Sequence, residues 1–409
     1  MLKAFKVRAY PNKTQKKKAA VHFGNYRFVK NLAMKQRADI WHATKDLPKE
    51  NRQEHYCSEY SHNYQLPGMK EQFPFLRFSC AQSLQLAHKE VHQSFKNFFS
   101  KKFRYPRFKS KHDRQSVGFP QDAYVDFKNK TIYLPKIGHI KYRDERTFSE
   151  HYEIKTVKLI QETNGDYYIS VLYETNVAKP ELPDIKPEEI VGCDVGLYDL
   201  VVTNEGLRIP PPKFLRIAEE KIAYLQRILA KKKKGSQRYR EIKHKINDLH
   251  HHVACQRDYW QHQIANQLVS DNQGTCWEDL SIKNMVKNHC LAKSIHDAAW
   301  YSLKHKVKYK SAWQGKYFLE CDKKDPTTKT CSCGHKQALS LGDRSWICDK
   351  CNAKHDRDVH AAENIKLFAL AKFKKAKCPA LGLVSPLTST DVDVSVSDHS
   401  PNSDQVSTL

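Results

Sequence analysis

The chain has 409 residues, enough for two or three domains, with 70 Lys and Arg against 45 Asp and Glu and a formal charge of +25. This excess of positive charge favours a polyanionic partner, while a hydrophobic content of 40% excludes a wholly disordered basic protein. The sequence contains neither an apolar run of about 18 residues nor the apolar core of a signal peptide, so we expect neither a membrane span nor secretion.

The twelve cysteines are unevenly distributed along the chain. Four fall between residues 331 and 351, and the others are scattered. This distribution predicts a reducing compartment, the cytoplasm, and one metal site rather than a disulfide framework.

The first half of the chain predicts strands that flank a helical segment. Residues 3–10 alternate as a strand, Pro11 and Asn12 end it, and a helix follows from about Thr14 to His42. After a Gln-, Tyr- and His-rich connection, residues 79–99 form an amphipathic helix and residues 100–114 a basic segment. Five short strands between 117 and 174 predict a small β-barrel of residues 1–13 and 116–178, with residues 14–115 as a helical insertion.

The second half predicts a separate α/β domain after the Pro-containing linker 176–189. Residues 190–196 form an apolar strand with a hairpin partner at 200–206, and two helices with apolar stripes cover 215–229 and 242–268. A strand at 275–280, a helix around 295–308, a strand at 316–321 and a helix at 359–374 follow. We therefore predict an α/β multidomain protein, with one domain of residues 186–322 and 355–376 interrupted by a metal-binding insertion at 323–354. The Ser-, Thr- and Asp-rich tail 379–409 is expected to be disordered.

Three separated carboxylates could form a metal site. Asp194 lies in an apolar strand, where a carboxylate is costly unless it is hydrogen-bonded or metal-bound. Glu278 lies within the predicted strand 275–280, and Asp358 lies where the last helix begins. Taken singly, they could be a turn aspartate, an edge-strand glutamate and a helix N-terminal acid. Together they predict a site for two magnesium ions, which prefer oxygen ligands and stabilise both the attacking and the leaving oxygen in phosphoryl transfer.

Four cysteines have the spacing C-x-C-x14-C-x2-C, and they are Cys331, Cys333, Cys348 and Cys351. Two thiolate pairs on two short turns predict a tetrahedral structural zinc site, a zinc ribbon. The first pair is one residue shorter than the usual C-x2-C and requires a tighter turn. Cys321 and His335 are alternative ligands, and four unrelated buried cysteines are the remaining alternative.

Basic and aromatic residues alternate between positions 101 and 114. Charge of this kind is often only a solvated surface, and the rings could pack in a core, but Pro106 and the interleaved aromatics favour an ordered strip that binds nucleic acid. The basic members could neutralise phosphates while the rings stack on bases; the members are Lys101, Lys102, Arg104, Tyr105, Arg107, Phe108, Lys109, Lys111 and Arg114.

The ordered motifs FRYPRFKSK, GCDVG, CWEDL and TKTCSCG…WICDKCNAKHDRDVHAAENI resemble the landmarks of the TnpB family, which insertion sequences encode and which is related to type V CRISPR effectors. The opening KAFKVRAYPNKTQ…FGNYRFVKN and the segment SIHDAAW at 294–300 are also similar to that family. The resemblance covers roughly residues 3–375, and the ordered set of motifs is far more specific than any single one.

The resemblance implies an RNA-guided endonuclease that cuts double-stranded DNA. A guide RNA from the transposon end would pair with one DNA strand beside a short target-adjacent motif, and a RuvC nuclease of RNase H-like fold would cut with magnesium. Asp194, Glu278 and Asp358 match the three catalytic carboxylates, with Asp356 the weaker match for the third. The cysteines match the family's zinc ribbon, and the barrel and the helical insertion match its wedge and recognition domains. Gln82 and Gln85 fall where family members approach the target-adjacent duplex.

Two departures from the family pattern bear on these expectations. The C-x-C spacing affects the zinc ligation, and His360 stands where the family motif has Asn, which would alter a contact near the metals or the cap of the last helix. Three other functions remain open: a DNA transposase, a guide-dependent DNA-binding repressor without cleavage, and an RNA- or ribosome-associated zinc-ribbon protein. The retained carboxylates favour the nuclease.

Overall fold

The computed structural model describes residues 1–48, 51–52, 56–144, 152–340 and 342–377. The chain divides into two compact units, Met1–Ala178 and Lys179–Leu409, and the division falls inside the segment predicted as a linker. The tail 379–409, which the sequence predicts to be disordered, lies outside the described residues. Within the described part of the chain, no helix combines the length and the apolar character that a bilayer span requires.

The first unit contains a seven-stranded antiparallel sheet. Its strands are β1 (Leu2–Tyr10), β2 (Gln115–Phe119), β3 (Tyr124–Asp126), β4 (Thr131–Leu134), β5 (Gly138–Arg143), β6 (Tyr152–Gln161) and β7 (Tyr167–Thr175). The spatial order is β2-β6-β7-β1-β5-β4-β3, so β1 pairs with both β7 and β5 and joins the sheet formed by the later strands, as predicted. In the described part of the sheet, β2 and β3 are the two edge strands, and closure of the sheet into a barrel stays a prediction.

Four helices of the first unit lie between β1 and β2 among the described residues. They are α1 (Lys13–Thr44), α2 (Glu59–Tyr64), α3 (Leu66–Gln72) and α4 (Ala81–Phe99), with a 3₁₀ helix at Pro74–Phe78. Asn12 begins α1 with a reciprocal capping box to Gln15, which explains why the helix starts directly after Pro11. The predictions of α1 and α4 are confirmed. The short α2 and α3 were not predicted, because six or seven residues carry little periodic signal.

The second unit contains a five-stranded mixed sheet. Its strands are β8 (Ile190–Asp194), β9 (Val201–Thr203), β10 (Arg208–Ile209), β11 (Gly274–Trp277) and β12 (Tyr317–Glu320), in the order β10-β9-β8-β11-β12. The predicted hairpin is confirmed, since β8 and β9 are antiparallel. Strands β8, β11 and β12 are parallel to one another, so their carboxyl ends lie at the same edge of the sheet.

Helices cover both faces of this sheet. The helices are α5 (Phe214–Ala230), α6 (Gln237–Asp271), α7 (Ile282–Met285), α8 (His289–Ala298), α9 (Trp300–Gln314) and α10 (Arg357–Lys377). Residues of α6, α8 and α9 pack with Val191 and Cys193 of β8, whereas α10 packs with Ile190 and Cys276. The single helix predicted around 295–308 is wrong: Ala299, in the left-handed conformation at φ +49°, separates α8 from α9.

The packing of α10 against β8 is very close. A Cβ atom added at Gly192 would lie 2.0 Å from the carbonyl oxygen of Ala362, so only glycine fits there. Between β12 and α10 the chain forms a hairpin of β13 (Ser345–Ile347) and β14 (Lys354–Asp356). The turn of this hairpin contains the second cysteine pair, Cys348 and Cys351.

Candidate functional site

Two of the three predicted carboxylates lie at the carboxyl ends of adjacent parallel strands. Asp194 is the last residue of β8, Glu278 directly follows β11, and the preceding residues Cys193 and Trp277 are register partners. Asp358 is in the first turn of α10, which packs on β8. The fold therefore brings residues that are 80 or more positions apart in sequence to one edge of the sheet, the usual position of ligand sites in open α/β sheets.

The electrostatics of Asp194 indicate that the three carboxylates interact. Burial, together with the negative charges of Glu278 and Asp358, raises the pKa of Asp194 from an ordinary value of 3.8 to about 8. Burial also raises the pKa of Glu278 above its ordinary value. Like charges held together in this way create a site whose ionised form requires a cation.

Cationic side chains approach the carboxylates from three elements. Arg344, before β13, lies with Nη1 3.3 Å from Asp358 Oδ2, and Arg208 of β10 lies with Nη1 3.6 Å from the same oxygen. Lys304 of α9 donates to the backbone carbonyl of Glu278 at 2.7 Å. The sequence analysis missed all three, because none belongs to a motif that distinguishes it from the other basic residues of the chain.

Asp356 and Asp358 have different roles in the structure. Oδ1 of Asp356 accepts hydrogen bonds from the backbone N–H groups of Asp358 and Val359, at 3.1 and 3.0 Å, as an N-cap does. Asp358, by contrast, is the residue whose charge acts on Asp194. This division of roles supports the interpretation of Asp358 rather than Asp356 as the third carboxylate of the site.

The carboxylates fit a divalent cation without forming a contact cluster. The four cysteines form the sole group, within the described ranges, of three or more ligand atoms that all lie within 4.8 Å of one another. The charges of Glu278 and Asp358 therefore act on Asp194, although the oxygen atoms of the three acids do not all lie within 4.8 Å of one another. Carboxylate oxygens brought to one edge of a sheet in this way suit magnesium, which prefers oxygen ligands.

The four predicted cysteines converge. The sulfur atoms of Cys331 and Cys351 are 3.5 Å apart and those of Cys333 and Cys348 are 3.8 Å apart, and all four lie within 4.8 Å. The shortened first pair is accommodated by a turn in which the N–H of Cys331 donates to His335 O at 2.8 Å. In that turn Gly334 has φ +82°, a conformation that favours glycine.

The donor set suits zinc. Four sulfur atoms that all lie within 4.8 Å of one another can supply the four thiolates of a closed zinc site. The alternative ligands are not in the cluster: Cys321 is buried among residues of β12, β11 and α10, and His335 contributes only its backbone carbonyl to the turn.

Two histidines surround this cysteine cluster. Nε2 of His355 lies 3.1 Å from Cys331 Sγ, and its ring stacks on that of His360 with centroids 3.9 Å apart. His360, the residue that departs from the family pattern, is buried and donates from Nε2 to Thr330 O at 2.9 Å. The departure therefore changes a contact to the cysteine turn rather than a contact to the three carboxylates.

The predicted basic strip is exposed and partly anchored. The rings of Phe103, Tyr105 and Phe108 are 58%, 52% and 61% exposed, so they are not core residues. Tyr105 packs edge-on against Phe95 and Phe98 of α4, and the backbone of Lys109 exchanges two 2.9 Å hydrogen bonds with Asn31 of α1. The other predicted members of the strip, Lys101, Lys102, Arg104, Arg107 and Lys111, are exposed, and Arg114 pairs with Glu162.

The two glutamines assigned to the target-adjacent duplex lie in the first turns of α4. Gln85 is exposed, and Gln82 is half-buried and accepts a hydrogen bond from the Cys80 thiol at 2.9 Å. Both belong to the same unit as the basic strip. Their role in binding stays a prediction.

Three protein families match segments of the chain. A family described as "Probable transposase" matches residues 169–289, one described as "Cas12f1-like, TNB domain" matches residues 300–365, and one described as "Helix-turn-helix domain" matches residues 1–46. In the structure, the last of these segments consists of β1 and α1.

Similar proteins cover nearly the whole chain. A protein of Streptomyces pristinaespiralis named "Putative RNA-guided DNA endonuclease" is 32% identical over 373 residues, which are 90% of each chain. InsQ of Escherichia coli (strain K12), with the same description, is 27% identical over 380 residues, 89% of this chain and 91% of the relative. A solved structure titled "Cryo-EM structure of the Cas12f1-sgRNA-target DNA complex" is similar in fold, with a TM-score of 0.53 and 14% identity, and the match covers 90% of this chain and 98% of that one.

Proposed function

Because this chain belongs to the TnpB family, we propose that it is an RNA-guided endonuclease that cleaves double-stranded DNA. In this proposal Asp194, Glu278 and Asp358 are the catalytic carboxylates. The observation that carries the proposal is the electrostatic effect on Asp194, at the end of β8, of Glu278 after β11 and of Asp358 in the first turn of α10. Relatives of similar length, named as RNA-guided DNA endonucleases, support the choice of reaction. The mixed sheet and the covering helices support an RNase H-like nuclease domain of RuvC type.

The three carboxylates would hold two magnesium ions. When bound, these ions would supply positive charge beside the entering and the leaving oxygen atoms of the phosphodiester. The chain itself places Asp194 and Glu278 on a rigid sheet and Asp358 at the start of a helix. Thr327 donates to Glu278 Oε1 at 3.5 Å, which helps to orient that carboxylate. Exposed Arg344, beside Asp358, can donate hydrogen bonds to a substrate phosphate.

The zinc ribbon would be structural. Its four thiolates leave no open ligand position for a substrate, and closed four-ligand sites of this kind stabilise a fold. The ribbon lies between β12 and α10, so it would also fix the position of the start of α10, where Asp358 lies. One bound zinc ion per chain is therefore part of the proposal.

Guide RNA and target DNA would bind mainly through phosphate contacts. The net charge of +25 and the exposed residues of the strip 101–114 support binding of a structured RNA, while base pairing with the guide supplies sequence specificity. We propose that the guide derives from the transposon end, that Gln82 and Gln85 approach the duplex beside a short target-adjacent motif, and that the displaced strand reaches the carboxylates. A cytoplasmic location accords with these partners.

The test is to sequence the RNA that copurifies with the chain and to measure cleavage of DNA that carries its complement. We expect a discrete RNA from the end of the encoding element, cleavage that depends on magnesium, and complete loss of cleavage in Asp194→Ala with guide and DNA binding retained. The exposed Asp271→Ala is the matched control and should cleave normally. Cleavage by Asp194→Ala would disprove the site, and bulk ribosomal RNA in place of a guide would disprove RNA guidance.

A DNA transposase is the second candidate, because one matching family is described as "Probable transposase". Transposases also use carboxylate triads, but they join strands as well as cutting them. Incubation with labelled donor ends and target DNA separates the two functions: joined products without any RNA requirement would favour the transposase. A repressor without cleavage would bind the guided target and leave it intact.

A further inference from the structure

We propose that Arg208 is a positioning residue that fixes the start of α10, and with it Asp358, relative to the strand that carries Asp194. The catalytic consequence of this inference rests on the proposed function. The structural consequence does not, because it concerns the metal-free chain. Arg208 lies outside the motifs that resemble the TnpB family, and its role follows only from its contacts.

The Arg208 guanidinium lies among three carboxylates from two segments. Nη2 donates to both Oδ1 and Oδ2 of Asp356 at 2.8 Å, and Nη1 donates to Oδ2 of Asp199 at 2.8 Å. Nη1 is also 3.6 Å from Oδ2 of Asp358. Asp199 belongs to the loop that follows Asp194, and Asp356 is the last residue of β14. One side chain thus links the loop after β8 to the junction between β14 and α10.

The contact with Asp356 reaches Asp358 through the helix cap. Oδ1 of Asp356, which Arg208 contacts, accepts the N–H groups of Asp358 and Val359. The cap therefore holds the first turn of α10, and Arg208 holds the cap. Loss of Arg208 would free an exposed carboxylate to rotate away from these N–H groups, and the first turn would fray.

The sheet register makes Arg208 a rigid reference point for this cap. Val202 of β9 is the register partner of both Arg208 on β10 and Asp194 on β8, so the three residues form one row across the sheet. Directly opposed residues of antiparallel strands project to the same face. Gly192, two residues before Asp194, meets Ala362 of α10, so this is the face that α10 covers.

A different role would follow if the charge of Arg208 were its main contribution. A cation 3.6 Å from Asp358 could compete with magnesium for that carboxylate. Removal of the arginine would then improve magnesium binding. Positioning predicts the opposite, because a frayed first turn leaves Asp358 poorly placed for the ion. The two roles are therefore separated by the sign of one measurement.

The experiment uses full-length Arg208→Ala and Arg208→Lys in two assays. Hydrogen–deuterium exchange of the metal-free chain, read on peptides that cover residues 354–362, should become about five-fold faster in Arg208→Ala, as expected for a lost helix cap. The half-saturating magnesium concentration for cleavage should rise at least about three-fold in Arg208→Ala. In Arg208→Lys both the exchange rate and this magnesium concentration should lie between those of the wild type and Arg208→Ala, because an ammonium cannot reproduce the planar fork of the guanidinium. Far-UV circular dichroism confirms that each variant is folded.

Lys372→Ala is the matched control, because it removes an ion pair of the same helix, that with Asp322 at 2.6 Å, well away from Asp358. It should leave exchange at residues 354–362 unchanged. Unchanged exchange in Arg208→Ala, or a lower half-saturating magnesium concentration, would overturn the positioning role. Because exchange is measured without metal, guide or DNA, this result stands apart from a failure of the endonuclease proposal, which would appear as absent cleavage in the wild type.

Discussion

Replacement of Asp194 by Asn should stabilise the metal-free second unit at alkaline pH while abolishing cleavage. The folded chain keeps a proton on Asp194 up to about pH 8, whereas an unfolded aspartate releases it near pH 3.8. Between these values the folded state binds more protons than the unfolded state, so the free energy of unfolding falls as pH rises. Asn resembles the protonated acid in shape and carries no charge at any pH.

The size of the effect follows from the pKa and the burial of Asp194. The rise of the pKa from 3.8 to about 8 means that folding favours the protonated over the ionised form of Asp194 by at most roughly 6 kcal/mol. Asp194 is only half-buried, so water screens part of this energy, and the charges of Glu278 and Asp358 contribute part of the rise in its pKa. As pH rises from 5 to 9, we expect the free energy of unfolding of Asp194→Asn to increase by about 2–3 kcal/mol relative to that of the wild type.

The assay is urea unfolding in the presence of a chelator at several pH values, followed by tryptophan fluorescence. Of the 6 tryptophans, Trp41 alone lies in the first unit, and the fully buried Trp277 directly precedes Glu278, so the signal reports mainly on the second unit. The exposed Asp271→Asn should follow the wild type at every pH. The reasoning is refuted if the wild type does not lose stability as pH rises, or if Asp194→Asn is the less stable chain at pH 9.

Three further outcomes are expected. Purified chain should contain one zinc ion by mass spectrometry; Cys348→Ser should lose it, and a Cys321→Ser chain that also lost zinc would contradict the ligand assignment. Gly192→Ala should lower the free energy of unfolding by at least about 1–3 kcal/mol in urea titrations, because its Cβ would meet Ala362 O at 2.0 Å, and an unchanged midpoint would mean that α10 moves freely. Combined Arg104→Ala and Arg107→Ala should weaken guide RNA binding and reduce the salt slope by roughly 0.7–0.9 per lost phosphate contact; an unchanged slope would exclude phosphate contacts there.

Local patterns predicted the elements that carry the site. Asp194 and Glu278 stand at the ends of short apolar strands, and the apolar stripes of α1, α4, α5, α6 and α10 have helical period, so each could be recognised within a short window. The spacing of the cysteines likewise predicted a cluster that the structure brings together. The resemblance to a family then connected features that no local pattern links.

The remaining features depend on contacts between distant segments. Arg208 and Asp356 are 148 residues apart, and nothing around either residue indicates its partner. The break at Ala299 is similar, because an alanine in the left-handed conformation lies inside a sequence with helical periodicity on both sides. Tertiary packing decides such positions, since Trp300 donates to Gly196 O and a continuous helix would have to place that ring elsewhere.

Contacts between the zinc ribbon and the helix of Asp358 make the two candidate metal centres parts of one structure. Asn364 of α10 donates to the carbonyls of Thr327 and Thr330 at 2.7 Å, and His360 donates to Thr330 as well, directly before Cys331. Thr327 in turn donates to Glu278. The short segment before Cys331 thus contacts both the helix that carries Asp358, through its backbone carbonyls, and the Glu278 carboxylate, through the Thr327 hydroxyl. Zinc bound to the four cysteines would fix where that segment ends, so the insertion between β12 and α10 would help to hold Glu278 and the helix of Asp358 in place.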